Sequence, residues 1–565
     1  MNPPYRFSEL PYEPTDFDAV GRRLREYTDA VRAAGSAEEL MRIDAACDAM
    51  LDEVGFANTL AYIRSSLDCT DAFYAEAAQK EAMGCATLDQ APYTQALLES
   101  PFMPELEAKF GPELRARLEQ QVRLRSAGLE LLGKEQVLMN QYQQKKAMTK
   151  VLFRGETHSE AEMYALFDSP DRQTRIDARK ATYEAFLAQK DELAPILLEL
   201  VRLRCGIAKA NGFDSYLDYA NLDYFRRDYG EKELTAFCEQ VKTDLIPLLR
   251  QLREEQRREL GVEKLMAYDL SVRFWDGNAV PVGGPQELTA ASQKMYDGLS
   301  AEFGAFFRAM VESESFSVDS SPNKVAGMGF CTTLKRGYLP YVFGNCNGTD
   351  DDVSVFTHEI GHAWQAYCTD QEGYLDIFRQ MPLDAVEIPS KTMELFTYPY
   401  AEAFFGADAE KFRQGHFREA MREIAAYCNI HELGTWIYTH PNASFDEINA
   451  AAMEIEKLYE PGLDYGVLEP YIAQGGALLR NMAVYSFPRY VISYALSEMC
   501  AIELFARREK DPAAAWEAYT KLCASGGSRS YPETLRKAGL QPAYAPGSVK
   551  RAVEFAREYL KLKAE

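Results

Sequence analysis

The chain has 565 residues, 47 % hydrophobic and 26 % charged, enough apolar side chains for large buried cores and too many for a disordered chain. Its 62 basic and 86 acidic residues leave a net charge of −24, which repels phosphate backbones and anionic lipid, so neither nucleic acid nor a membrane is an expected partner. The 11 cysteines are odd in number and scattered from Cys47 to Cys523 with no CxxC pair, which argues against a disulfide framework and a thiolate zinc site and fits a reducing compartment.

In chain order, the N-terminus Met1-Asn2-Pro3-Pro4-Tyr5-Arg6 has no apolar signal region, and no later run approaches the ~18 apolar residues of a membrane span. A cytoplasmic address is expected. Val151 to Thr157 reads as a small hairpin, followed by a turn at Asp168-Ser169-Pro170-Asp171. Glu192 to Asn211 repeats apolar residues at three- and four-residue steps, predicting a helix that Gly212 ends; Glu231 to Leu260 predicts another. Gly277 to Pro285 is a Gly/Pro loop. Tyr338 to Gly344 is β-prone, and Pro340 marks it as an edge strand or the start of a strand. No fixed-period repeat occurs, and the fold class expected is mainly α with a small sheet near the middle.

The sharpest signal is His358-Glu359-Ile360-Gly361-His362, preceded by Asp350-Asp351-Asp352 as an N-cap and first-turn acid cluster. On a helix, positions i and i+4 share a face, so two imidazoles can hold one metal while Glu359, on the flank, serves a water. A catalytic zinc takes three protein ligands, so a third must come from elsewhere. Asp370, Glu372, Asp376, Asp384, Glu387 and Glu394 follow within reach of the motif. Glu387 and Glu394 are seven apart and share a face if their helix is continuous, so either could ligate.

Thr357 to Tyr367 (THEIGHAWQAY) together with Val386 to Phe396 (VEIPSKTMELF) resembles the thimet oligopeptidase and oligoendopeptidase F family of zinc metallopeptidases. Glu394 to Tyr400 is most similar to the oligoendopeptidase F and Pz-peptidase branch, and Gly329 to Thr332 and Pro340 to Thr349 resemble the strand and loop before the zinc helix. Ile207 to Phe213 followed by Tyr216 resembles an upstream helix end. The likeness runs from roughly residue 170 to the C-terminus and is weaker before it. It implies two helical lobes flanking a deep channel, with a small sheet beside the HExxH helix. On that reading residues 1–170 form an N-terminal helical lobe and 171–565 the catalytic region.

The resemblance also implies roles. The family's third ligand lies 25 positions after the second His, which is Glu387 here, and Glu394 matches a second-shell carboxylate. One Zn(2+) per chain would then sit on His358, His362 and Glu387. Tyr490 and Tyr494 match the family tyrosines that stabilise the oxyanion, with helix packing at i and i+4 as the lesser alternative. The family's His between the Gly-Gly and the tyrosines is absent from Ala477 to Val484. Tyr341, Val342, Phe343 and Gly344 are expected to bind substrate by strand addition at a sheet edge. The function implied is an oligoendopeptidase cutting internal bonds of short unfolded peptides, with Glu359 as general base. The alternatives are an HExxH zinc carboxypeptidase and a catalytically weak peptide-binding protein on the same scaffold; the oligomeric state is left open.

Overall fold

The computed structural model describes residues 5–125, 129–325, 329–335 and 337–562. The protein is mainly α, with one two-stranded and one three-stranded sheet among the described residues. It forms two compact units, each assembled from three stretches of chain: Met1–Ser126, Val280–Ala409 and Leu504–Leu540 make the first, and Ala127–Ala279, Glu410–Glu503 and Gln541–Glu565 the second. Position 170 falls inside the second unit.

In the second unit the hairpin expected near residue 151 is present as β1 (Lys150–Phe153) and β2 (Glu156–Ser159), antiparallel. Its two-residue turn, Arg154 and Gly155, has φ of 51° and 87°, the paired positive values of the primed turn that matches strand twist. Val151 and Phe153 point inward onto Met163, Phe167 and Ala178. The helix expected from Glu192 spans Lys190–Ala210, and its buried Leu193, Leu197, Leu200, Val201, Ile207 and Ala208 follow the predicted spacing. The stretch from Glu231 is interrupted. It runs as Glu231–Gln240, a π-helical turn at Val241–Leu245, and Ile246–Glu259. Pro247 brings no N–H to the ladder, and a wider turn before it is a known way to absorb that loss.

The first unit holds the three-stranded sheet, ordered β3 (Phe316–Ser317), β5 (Tyr341–Phe343), β4 (Phe330–Thr332). β5 is parallel to β3 and antiparallel to β4. One face, carrying Phe330, Tyr341 and Phe343, packs on Phe7 and on Phe56, Leu60 and Ile63 of the long helix Ala37–Leu67. The other face lies against the helix Asp351–Gln371 that carries the HEIGH motif. The sheet therefore fixes the HEIGH helix from one side, and Phe303 stacks on its Trp364 at 4.4 Å from another.

Candidate metal centre

His358 enters about two turns along the helix Asp351–Gln371. Asp350 sits at the N-cap position, but its side chain makes no capping bond. Asp352 does the tying instead: it accepts the Asn347 N–H at 2.9 Å and the Gly348 N–H at 2.8 Å, fastening the preceding loop to the first turn. The helix buries Phe356, Ile360, Ala363 and Trp364 and leaves His358 and His362 half-buried, with ring centroids 4.9 Å apart.

The second helix of the site spans Leu383–Phe396 and is continuous through Pro389. The Tyr519 hydroxyl donates to the Pro389 carbonyl at 3.2 Å. Gly361 allows the two helices to meet backbone to backbone, since a Cβ there would lie 2.7 Å from Ser390 Cα and 2.8 Å from the Pro389 oxygen. That approach brings Glu387 onto the imidazoles: its Oε2 is 3.2 Å from His358 Nε2 and 3.1 Å from His362 Nε2. One ligand atom from each of the three residues lies within 4.8 Å of the others, a group able to hold a metal ion. Glu394, two helical turns after Glu387, places Oε1 2.6 Å from His358 Nδ1. Glu387 and Glu394 thus address opposite nitrogens of one ring.

Two further residues of this helix join the site without a sequence signal of their own. Ser390 Oγ donates to Glu387 Oε2 at 3.0 Å, and Lys391 Nζ stands 3.4 Å from Glu394 Oε1. Both lie within one helical turn of a carboxylate, so a candidate helix is worth scanning at i±3.

Burial and charge oppose each other at this site. Burial alone would raise the Glu387 carboxyl, yet His362 and His358 hold it well below the usual range. Burial alone would lower His358, yet hydrogen bonds to Glu387 and Glu394 bring it up to about 10. Burial raises the Glu359 carboxyl, opposed by the two imidazoles and reinforced by Glu387 and Glu394. Three buried carboxylates around two imidazoles carry excess negative charge, and two imidazole nitrogens with one carboxylate oxygen suit a divalent ion.

Comparison with known proteins gives the family. Residues 7–124 match the peptidase M3 N-terminal domain, and residues 165–280 and 306–551 match peptidase family M3. The chain belongs to peptidase family M3. It is a metallopeptidase of the oligoendopeptidase F type, similar over its whole length to solved members. A protein assigned as oligoendopeptidase F is 34 % identical over 99 % of both chains, with a TM-score of 0.92. Pz peptidase A, solved with an inhibitor, is 31 % identical over 98 % of this chain and 99 % of its own, TM-score 0.92. A Bacillus anthracis protein assigned as oligoendopeptidase F is 29 % identical over 100 % and 99 %, TM-score 0.87. A search of curated proteins found no match.

In this M3 peptidase the segment Tyr341 to Gly344 is not a sheet edge. β5 is the middle strand, with its three residues buried, and Pro340 stands just before it, where a missing N–H disturbs no pairing. The edge next to the HEIGH helix is β4. Tyr490 and Tyr494 belong to the second unit and lie side by side, their hydroxyls 3.4 Å apart. Tyr427 packs on Tyr494 at 5.4 Å, and one turn further along the helix Ala409–Thr439 the imidazole of His431 is buried. The segment before Tyr490 is anchored by Arg489, which has φ of 69°, donates to the His431 carbonyl at 3.3 Å and pairs with Glu231.

Proposed function

We propose that this chain is a zinc-dependent oligoendopeptidase cutting internal bonds of short unfolded peptides. The observation that carries the reading is the convergence of His358 Nε2, His362 Nε2 and Glu387 Oε2, with Glu394 on the far nitrogen of His358. Three protein ligands and one open position are what a catalytic zinc requires, and a carboxylate behind a ligating imidazole orients its ring. Zinc bound there supplies Lewis acidity to a scissile carbonyl and to a water. Glu359, one residue from His358 and on the flank of the same helix, takes the proton of the attacking water and returns it to the leaving amine. A cytoplasmic address is part of the proposal, supported by 11 cysteines that all stand as free thiols. No helix among the described residues is long and apolar enough to cross a membrane.

The substrate backbone is assigned to the β4 edge. Val342 N–H donates to the Ser315 carbonyl at 3.0 Å and Gly344 N–H to that of Ser317 at 2.8 Å, so these residues spend their main-chain groups on the β3 side. Groups alternate along a strand, so Tyr341 and Phe343 serve β4, through their partners Thr332 and Phe330. Cys331, between those partners, directs its N–H and C=O to the open edge, where an extended peptide can pair. Residues 341–344 contribute by backing this strand.

The endopeptidase reading is tested with a quenched fluorescent peptide blocked at its C-terminus, beside native albumin. The blocked peptide should be cut, cutting should stop on chelation and return with zinc, and albumin should be spared. Failure to cut any blocked peptide would make the enzyme a carboxypeptidase; rapid digestion of albumin would remove the preference for unfolded substrates.

Tyr490 or Tyr494 is assigned the hydrogen bond to the oxyanion, on the strength of the family match and of their paired hydroxyls. Replacing the responsible tyrosine by Phe should lower kcat more than it raises KM, because the bond forms mainly in the transition state. Unchanged kcat in both single variants would leave the pair as packing residues.

A further inference from the structure

β4 has two faces, and the mechanism described so far uses only one. Cys331 alternates with Phe330 along β4 and so points to the HEIGH helix, where its half-buried thiol lies near the Glu359 carboxylate. Helix and strand touch on this side: a Cβ on Gly329 would lie 2.5 Å from Val355 Cγ1 and 3.4 Å from Glu359 Oε1. Phe330 points the other way. Its ring stacks on Phe343 at 4.8 Å and meets Tyr62 at 4.9 Å and 41°.

Tyr62 comes from the helix Ala37–Leu67, within the region that matches the family's N-terminal domain. Its neighbours Leu60, Ala61 and Ile63 are buried in the core, yet Tyr62 is 41 % exposed. A large aromatic side chain left open beside a sheet edge is available surface, and here it touches β4, whose outer edge pairs with no strand among the described residues.

Strand geometry says what that surface meets. A peptide residue directly opposite Cys331 shares the Cys331 face and turns its side chain to the HEIGH helix. Its neighbour on the Phe330 side turns its side chain to the opposite face, over Phe330 and Tyr62. We propose that Tyr62 is a specificity-determining residue: with Phe330 it forms an aromatic shelf that favours a large apolar or aromatic side chain at the substrate position next to the one paired with Cys331. The inference rests on peptide addition to β4. It gives the N-terminal region a direct part in choosing the substrate, alongside its part in the core beneath the sheet.

The test uses a set of quenched fluorescent peptides in which each position flanking the cleaved bond is Phe, Leu or Gly in turn. The native enzyme should prefer Phe or Leu over Gly at one position facing the shelf. In Tyr62→Ala that preference, as a ratio of kcat/KM values, should shrink by about five- to tenfold, at the low end for contacts of this size because the shelf is half open. The loss should fall on KM, and Tyr62→Phe should retain the preference. Equal preferences at every position in Tyr62→Ala and the native enzyme would overturn the shelf. A second series, N-methylated at one amide at a time, tests the pairing itself. At least one methylation should block cleavage by removing the N–H offered to the Cys331 carbonyl. Full cleavage of every methylated peptide would refute addition to β4 and the shelf with it, whereas blocked cleavage with unchanged Tyr62→Ala preferences refutes the shelf alone.

Discussion

Replacing Glu359 by Gln is expected to lower turnover about 10²- to 10⁴-fold, the usual weight of a positioned general base, while zinc stays bound. The two halves of that expectation come from different features. The group able to hold a metal is His358, His362 and Glu387, so on the proposed assignment an amide at 359 removes no ligand. Burial has raised the Glu359 carboxyl, and a carboxylate kept from full solvation is the better proton acceptor. Gln is nearly isosteric and should fit beside Gly329, where an added Cβ would lie 3.4 Å from Glu359 Oε1. Steady-state kinetics with zinc measured by atomic spectroscopy on the same sample decides. Near-native turnover would remove Glu359 from the chemistry, and loss of zinc would mean that it ligates.

The second large effect separates the two glutamates of the helix Leu383–Phe396. Glu387→Ala should empty the site at ordinary zinc concentrations, because it removes the one oxygen that stands 3.1 to 3.2 Å from both Nε2 atoms. Glu394→Ala should weaken zinc binding roughly 10- to 100-fold, the usual cost of losing the partner behind a ligating imidazole. The mechanism is orientation: a carboxylate 2.6 Å from Nδ1 favours the tautomer protonated there, which would leave Nε2 of His358 to ligate the ion. Glu394→Gln keeps an acceptor oxygen and should fall between the two. Zinc titration against a competing chelator gives the order directly, and a site emptied by Glu394→Ala but filled in Glu387→Ala would exchange their roles.

The site was legible to different depths. Helical spacing alone placed His358 and His362 on one face and Glu359 on the flank. It could not rank Glu387 against Glu394, since seven residues return to the same face; the family spacing did that. The geometry reveals the reason the helical wheel was silent: both carboxylates reach His358, but at opposite ends of its ring. The sheet was harder. β3 is two residues long, too short for any alternation to show, so nothing in the sequence announced that β5 has a neighbour on that side. Pro340 allowed either an edge strand or the start of a strand, and it marks the start; the edge expected at Tyr341 to Gly344 belongs to β4. Asp350 was expected to cap the HEIGH helix because its type and place are right, whereas Asp352 holds the loop from inside the first turn. Tyr62 stands in no motif and acquires its place only through packing, and Ser390, though within the VEIPSKTMELF segment, gave no sign of its bond to Glu387.

The way each unit is threaded bears on how the molecule is made. The chain passes from one unit to the other five times, and the first unit receives its last stretch, Leu504–Leu540, after four of those passages. Tyr519, whose hydroxyl secures the Pro389 carbonyl beside Glu387, arrives with that stretch. A ribosome delivers residues in order, so the helices bearing His358, His362 and Glu387 emerge well before the tyrosine that braces them. The contact between Tyr519 and Pro389 therefore forms only after residue 519 has emerged. A nascent chain halted before Tyr519 carries His358, Glu359, His362 and Glu387 but lacks the hydroxyl that holds the Pro389 carbonyl two residues after Glu387.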